Sequence, residues 1–298
     1  MNAVLVTVAS VEGSAPREAG ATMLVTHDGQ RDTIGGGHLE LRACEIARAM
    51  LAFPEARRLE RFALGPGLGQ CCGGVVQLVF ETIDAEHLAP RDTHRTSWRV
   101  VALDSDAPPL LITDETALAF DPTLPTRLVV DAAGQRWLVD RRAAWQAHLL
   151  LFGAGHVGVA IVRALADLPC HVTWIDERAD AFPATVPANV TIEVTDVPEA
   201  IVEQAAAGSS FLVMTHSHAI DQQLCAAILE RNDAGWFGLI GSDTKRRQFE
   251  HRLLARGIPA DRLTGMTCPV GIAGISGKAP AVIAAAVTAQ LLQVWESV

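Results

Sequence analysis

The chain has 298 residues with 34 acidic and 24 basic side chains, a formal net charge of −10 at pH 7. That balance argues against a general nucleic-acid binder and leaves small molecules or proteins as partners. Six cysteines, at 44, 71, 72, 170, 225 and 268, are too few and too scattered for a disulfide framework and form no C-x-x-C pair, which fits a reducing cytoplasm.

At about 150 residues per domain, the length predicts two domains that each bury a core. The opening run MNAVLVTVAS lacks the basic flank of a signal sequence, and no stretch approaches the roughly 20 apolar residues of a membrane span. A cytoplasmic protein with no membrane association is expected. Residues 3–9 and 22–26 are β-rich, and Asp28-Gly29 supplies a hairpin-type turn before residues 31–34. After Gly35-Gly36-Gly37, residues 39–53 place Leu39, Ala43, Ile46, Ala47, Met50 and Leu51 at helical spacing, with Pro54 as the stop.

The stretch GPGLGQCCGG at residues 65–74 sets Cys71 and Cys72 side by side among five glycines. Neighbouring Cα atoms lie about 3.8 Å apart, short of the usual span across a disulfide, so both are expected to be thiols. Two readings stand: small buried hydrophobes next to the strand 75–80, or thiols exposed to a ligand. Residues 89–144 weaken in pattern, with prolines at 90, 108, 109, 122 and 125 between short strand-like pieces at 99–103 and 127–130.

From His148 the pattern sharpens. Leu149-Leu150-Leu151-Phe152 reads as a buried parallel strand. It leads into Gly153-Ala154-Gly155-His156-Val157-Gly158, a helical stretch at 159–168, and a strand at 171–175 that ends on Asp176. Strand, G-x-G-x-x-G, helix, strand and acid in this order predict a dinucleotide-binding Rossmann unit. Gly153, Gly155 and Gly158 would let the backbone approach a pyrophosphate at a helix N-terminus, and Asp176 would accept bonds from a ribose 2′-OH. That carboxylate would repel a 2′-phosphate, favouring NAD over NADP. Two later strands run into THSHAID at 215–221 and into GSDTKRR at 241–247, loops expected at the carboxyl edge of the sheet where ligands bind. His216, His218 and Asp221 read either as metal ligands or as a polar loop whose histidines cap backbone or face a ligand. Residues 271–280, GIAGISGKAP, lack the spacing of a P-loop and leave a glycine-rich entry to a helix at 282–294.

The stretches EGSAPRE, IGGGHLE and GQCCGG, together with THSHAID, GLIGSDTKRRQF and CPVGIAGISGKAP, closely resemble the xanthine dehydrogenase accessory protein family over nearly the whole chain. The resemblance implies an α/β protein: an N-terminal α+β domain of XdhC/CoxI type with a small sheet at 1–88, a connector with short β elements at 89–146, and a Rossmann-like doubly wound parallel sheet at 147–298. It implies a cofactor-insertion chaperone that binds molybdenum cofactor (molybdopterin), assists its sulfuration with a cysteine desulfurase and delivers it to the xanthine dehydrogenase apoenzyme. A homodimer is the expected assembly.

That cofactor has a phosphate tail and a soft, sulfur-held metal. Gly35, Gly36 and Gly37 at a helix start and Arg17 fit the phosphate, while Cys72 or Cys71, with Gly73 and Gly74 clearing space, fit the molybdenum. The resemblance favours Cys72, because Cys-Gly-Gly is the part shared most broadly with related accessory proteins. Two other readings compete: an NAD-dependent oxidoreductase with His216 or His218 as acid/base, and a sulfurtransferase carrying persulfide on the cysteine pair.

Overall fold

The computed structural model describes residues 2–53, 55–65, 73–84 and 93–297. They divide into two compact units, residues 1–144 and 145–298, and each is described by itself. Among the described residues no helix is long and apolar enough to cross a membrane.

In the N-terminal unit, β1 (Asn2–Glu12), β2 (Thr22–Val25), β3 (Gln30–Asp32), β4 (Arg57–Ala63) and β5 (Val75–Asp84) form an antiparallel sheet in the order β3-β2-β1-β5-β4. The helix α1 (Gly37–Ala52) covers one face, where Val4, Val6, Val8, Met23, Leu78 and Phe80 meet Leu39, Ala43, Ala47 and Met50. A second antiparallel sheet, β7-β6-β9-β8, is built from β6 (Ser97–Ala102), β7 (Leu110–Ile112), β8 (Arg127–Val130) and β9 (Arg136–Arg142). It covers the other face through Val101 and Leu138 packed on Ala9 and Val79. Burial on both faces explains why β1 reads as an almost unbroken apolar run rather than an alternating one.

The stretch read from sequence as a connector thus contributes a four-stranded sheet. Buried Glu81 on β5 pairs with Arg99 on β6, and Arg57 donates to the carbonyl oxygens of Ala102, Ser105 and Ala107. Burial pushes the Glu81 carboxyl above its ordinary range against the pull of Arg99 and Arg57.

The C-terminal unit is a six-stranded parallel sheet in the order β12-β11-β10-β13-β14-β15, from β10 (Ala147–Phe152), β11 (Cys170–Asp176), β12 (Val190–Val194), β13 (Ser210–Val213), β14 (Trp236–Leu239) and β15 (Met266–Thr267). Its pattern is the 3-2-1-4-5-6 order of a Rossmann sheet, with the switch point between β10 and β13. On one face α2 (His156–Ala164) and α7 (Pro280–Glu296) pack Ile161, Val162, Ala284, Val287 and Leu291 against Leu149, Leu151, Val172 and Trp174. On the other, α3 (Pro198–Gln204), α4 (His218–Arg231) and α5 (Asp243–Ala255) bring Val202, Leu224, Ile228 and Phe249 onto Leu150, Phe152, Phe211 and Val213. The short α6 (Ala260–Leu263) precedes β15. Alternate residues of LLLF therefore feed two cores, which a run with no polar face requires.

The helix α2 starts three residues earlier and ends sooner than the apolar pattern indicates, because it begins at the residue after Gly155 inside the glycine motif.

Candidate functional site

The three glycine-containing motifs of the first half meet at one end of the five-stranded sheet. A Cβ on Gly35, whose φ is +119°, would lie 2.3 Å from Pro16 Cβ; a Cβ on Gly74 would lie 2.4 Å from the Ser14 carbonyl oxygen. Real Cβ atoms do not approach so closely, so the loops of GSAPRE, GGGHLE and the Gly73-Gly74 end of QCCGG pack together only as glycines. By contrast, a Cβ on Gly36 or Gly73 would meet nothing within 4 Å. Among the described residues there is space for an approaching group at those two positions, although the Gly36 N–H is held by Glu40.

Arg17 joins the same cluster, donating to the Thr33 carbonyl at 3.4 Å and pairing with Glu18 at 3.0 Å. Cys71 and Cys72 lie outside the described residues, so the expected thiolate ligand carries no geometry here.

The N–H groups expected to receive a phosphate at Gly35-Gly36-Gly37 are partly engaged. Glu40, one turn into α1, accepts from the backbone of Ile34 and Gly36, both at 3.1 Å, and from Gln30 Nε2 at 2.7 Å. Gly35 donates to Thr33 Oγ1 at 3.0 Å. Burial opposes ionisation of Glu40, but the bonds it accepts from the Thr33 hydroxyl, Gln30, Gly36 and Ile34 prevail and hold it below the usual carboxylate range. An internal carboxylate thus occupies part of the anion-attracting helix start, an arrangement the sequence signals by an acid three residues after the glycines.

In the C-terminal unit, the ends of β10, β11, β12 and β13 form the carboxyl edge. A Cβ on Gly153, φ +122°, would lie 2.4 Å from the Met214 carbonyl oxygen after β13, and one on Gly158 would lie 2.4 Å from the Gly153 carbonyl oxygen. Gly155 is different: a Cβ there meets nothing. It is the N-cap of α2, with no side chain capping it, and it opens on a groove of about 650 Å³ lined by His156, Arg163, Ala181 and the start of α7 at Ala279-Pro280-Ala281. These are the three separate jobs of a Rossmann glycine triplet: tight turn, access for a pyrophosphate, and helix packing.

Asp176 does not offer the free ribose acceptor expected of it. Its Oδ2 receives Ala154 N–H at 2.7 Å and Arg178 Nη2 at 2.9 Å; its Oδ1 receives Arg178 N–H at 3.0 Å and Nε at 2.8 Å. Burial pushes its pKa up, yet the bonds from Arg178 and Ala154 outweigh it and bring the value to about 2. The carboxylate is buried and already holds four donors.

Beside it a narrow crevice of about 20 Å³ is lined by Phe152, Ile175, Asp176, Glu177, Thr195, Pro198, Thr215, His216 and Ile220. His216 Nε2 faces Glu177 Oε1 across it at 3.4 Å.

His216, His218 and Asp221 do not converge on a metal. His218 is the first residue of α4, edge-on to the Phe249 ring at 6.2 Å. Asp221 is fully buried and accepts from Thr215 N–H at 2.9 Å, Thr215 Oγ1 at 2.7 Å and Lys245 Nζ at 2.7 Å. Among the described residues no group of three or more His, Cys, Asp or Glu side chains is placed to hold a metal ion. Sequence reasoning placed Asp221 and Lys245 in adjacent loops but missed their pairing, since 24 positions separate them. Arg178, two residues after Asp176, and Glu40, the last residue of IGGGHLE, carry roles that the sequence does not single out.

A family model for the XdhC and CoxI family matches residues 1–63, and one for the XdhC Rossmann domain matches residues 149–291. The chain belongs to the XdhC and CoxI family. The XdhC Rossmann match spans the glycine turn, Asp176 and the loops after β13 and β14, while the other match holds GSAPRE and GGGHLE. A relative from Bacillus subtilis (strain 168), described as a probable subunit of xanthine dehydrogenase, is 26% identical over 316 residues, covering 98% of this chain and 92% of that protein. A crystal structure described as a xanthine dehydrogenase from Bacillus halodurans has the same fold as this family member, with a TM-score of 0.73 and 24% identity over 100% of this chain and 92% of that one.

Proposed function

We propose that this XdhC family protein is an accessory protein for xanthine dehydrogenase: it binds molybdenum cofactor in its N-terminal unit and, after sulfuration with a cysteine desulfurase, delivers the cofactor to the apoenzyme in the cytoplasm. Family membership and the relative described as a xanthine dehydrogenase subunit supply the partner. The observation that carries the cofactor reading is the meeting of GSAPRE, GGGHLE and Gly73-Gly74, with space among the described residues at Gly36 and Gly73. A large, partly planar ligand needs such close access, and the cysteine pair is next in sequence to the open Gly73.

In this reading Arg17 and the start of α1 hold the phosphate tail, which must share that helix start with Glu40 or displace its carboxylate. Cys72 supplies the thiolate; the metal supplies the soft Lewis-acid centre that a thiolate prefers. The groove at Gly155 supports a second role for the C-terminal unit, binding a nucleotide or dinucleotide with its pyrophosphate at the start of α2.

The test is molybdenum and pterin analysis of the protein co-produced with the cofactor-synthesis machinery, followed by activation of apo xanthine dehydrogenase. Cys72→Ala should lose most bound cofactor and fail to activate, at a stability cost of about 1 kcal/mol or less. Cys170→Ala and Cys225→Ala, in the other unit, should retain both. Full retention and activation by the Cys72 variant would refute the ligand role of that thiol.

A further inference from the structure

We propose that Glu177, not Asp176, is the carboxylate with which the C-terminal unit receives the ribose diol of an adenine nucleotide, and that this site selects a ribose without a 2′-phosphate. The assignment rests on the reading that this unit binds a nucleotide. In a Rossmann sheet the acid at the end of the second strand accepts the ribose hydroxyls. Asp176 holds that position at the end of β11. A carboxylate has about four acceptor sites, and Asp176 already takes four N–H donors from Ala154 and Arg178. Its side chain is 3% exposed. A ribose would have to strip Arg178 from it and reach a buried group, while also loosening the glycine turn that Asp176 holds through Ala154.

Glu177 is the next residue, and its situation is the reverse. Its side chain is 38% exposed and lines the crevice at the switch point together with Phe152, Thr215 and His216. The partner it has there, His216 Nε2 at 3.4 Å, is a long contact on an equally accessible side chain. At about 20 Å³ the crevice has room for roughly one water molecule, so a nucleoside needs it to widen, and parting the long Glu177–His216 contact frees the carboxylate. That exchange gives the carboxylate two hydroxyl donors for one weak contact.

The charges around the position decide the class of ribose. Asp176, Glu177 and Asp180 surround Arg178. Arg178 is committed to Asp176 through both Nε and Nη2. A 2′-phosphate would meet the Glu177 carboxylate while two of the three Arg178 guanidinium nitrogens are held by Asp176, whereas a neutral diol finds an acceptor.

The experiment is calorimetric titration of the full chain with ADP-ribose, NAD and NADP, for the wild type, Glu177→Gln and Glu177→Lys. Wild type should bind NAD and ADP-ribose at least about tenfold more tightly than NADP, the effect of losing one hydrogen bond to a charged acceptor and adding a repulsion. Glu177→Gln should weaken NAD by about tenfold with an unchanged melting temperature, because the residue is exposed. Glu177→Lys should shift the NAD-to-NADP preference by about tenfold or more toward NADP, a change that a purely structural role for Glu177 would not produce.

Equal NAD binding by wild type and Glu177→Gln, or wild-type preference for NADP, overturns the assignment while leaving nucleotide binding intact. Absence of binding by all three ligands at millimolar concentration removes the nucleotide reading itself, and the assignment with it.

Discussion

At Asp176 burial and hydrogen bonding act in opposite directions, and the bonds win: the carboxyl falls from an ordinary value of 3.8 to about 2. A carboxylate whose folded pKa lies below its unfolded one contributes stability that is present above the unfolded value and lost as pH falls through the folded one. The window here is therefore about pH 4 down to about pH 2, and the contribution above it is about 2 kcal/mol. Arg178 supplies three of the four donors, two of them from its guanidinium. Arg178→Ala should cost about 1–2 kcal/mol at pH 7, and the gap to wild type should close as pH falls from 4 toward 2. Urea midpoints measured across that range check it; a gap that stays constant with pH would show that Arg178 stabilises through packing alone. None of this was legible at the residue itself. An acid at the end of a strand after a glycine motif reads as a ribose acceptor, and only the position of Arg178, two residues on and folded back, turns it into an internal anchor.

The starts of α4 and α5 show the same dependence on distant partners at the next scale. Each helix has a serine N-cap, Ser217 accepting from Ile220 N–H and Ser242 from Lys245 N–H, a signal that sequence carries locally. What joins them is the pair Asp221–Lys245, with Lys245 Nζ also donating to the Ile240 carbonyl at 3.0 Å and lying 5.1 Å from the Phe249 ring centre. Removing one member of a buried pair leaves the other uncompensated. Lys245→Ala should destabilise by about 3 kcal/mol, and Asp221→Asn combined with Lys245→Met should recover part of that loss; denaturant midpoints of the three chains measure it. Other elements were hidden by their composition. The strands β4, RRLERFA, and β9, RWLVDRR, carry too many charges to read as strands. Arg57 on β4 is met by Glu81 on β5 and by the Ala102 carbonyl of β6, while Arg142 pairs with Asp140 on its own strand.

Over the whole molecule, two units each hold their own core, and the C-terminal one encloses apolar residues on both faces of its sheet. Residues 145–298 produced alone should unfold in a single cooperative urea transition and bind NAD with the affinity of the full chain; circular dichroism and calorimetry test both, and a non-cooperative melt would contradict an independent core. Neighbours along the chain account for the period that forms α1, the unbroken LLLF of β10, the order of glycine, helix, strand and acid, and the motifs that mark the family. Those patterns are local because helix and strand repeats, turns and caps involve residues a few positions apart. The tertiary structure alone decided which motifs share a site and which charges are free to act. Gly35 against Pro16 and Gly74 against Ser14 bring three separate stretches to one end of a sheet. Glu40 and Asp176, both acids beside glycine motifs, are spent on internal N–H groups, while Glu177 keeps an exposed carboxylate. Hydrogen-bond donors are shared among residues that only folding makes neighbours, and an acceptor's availability is set by which donors reach it first.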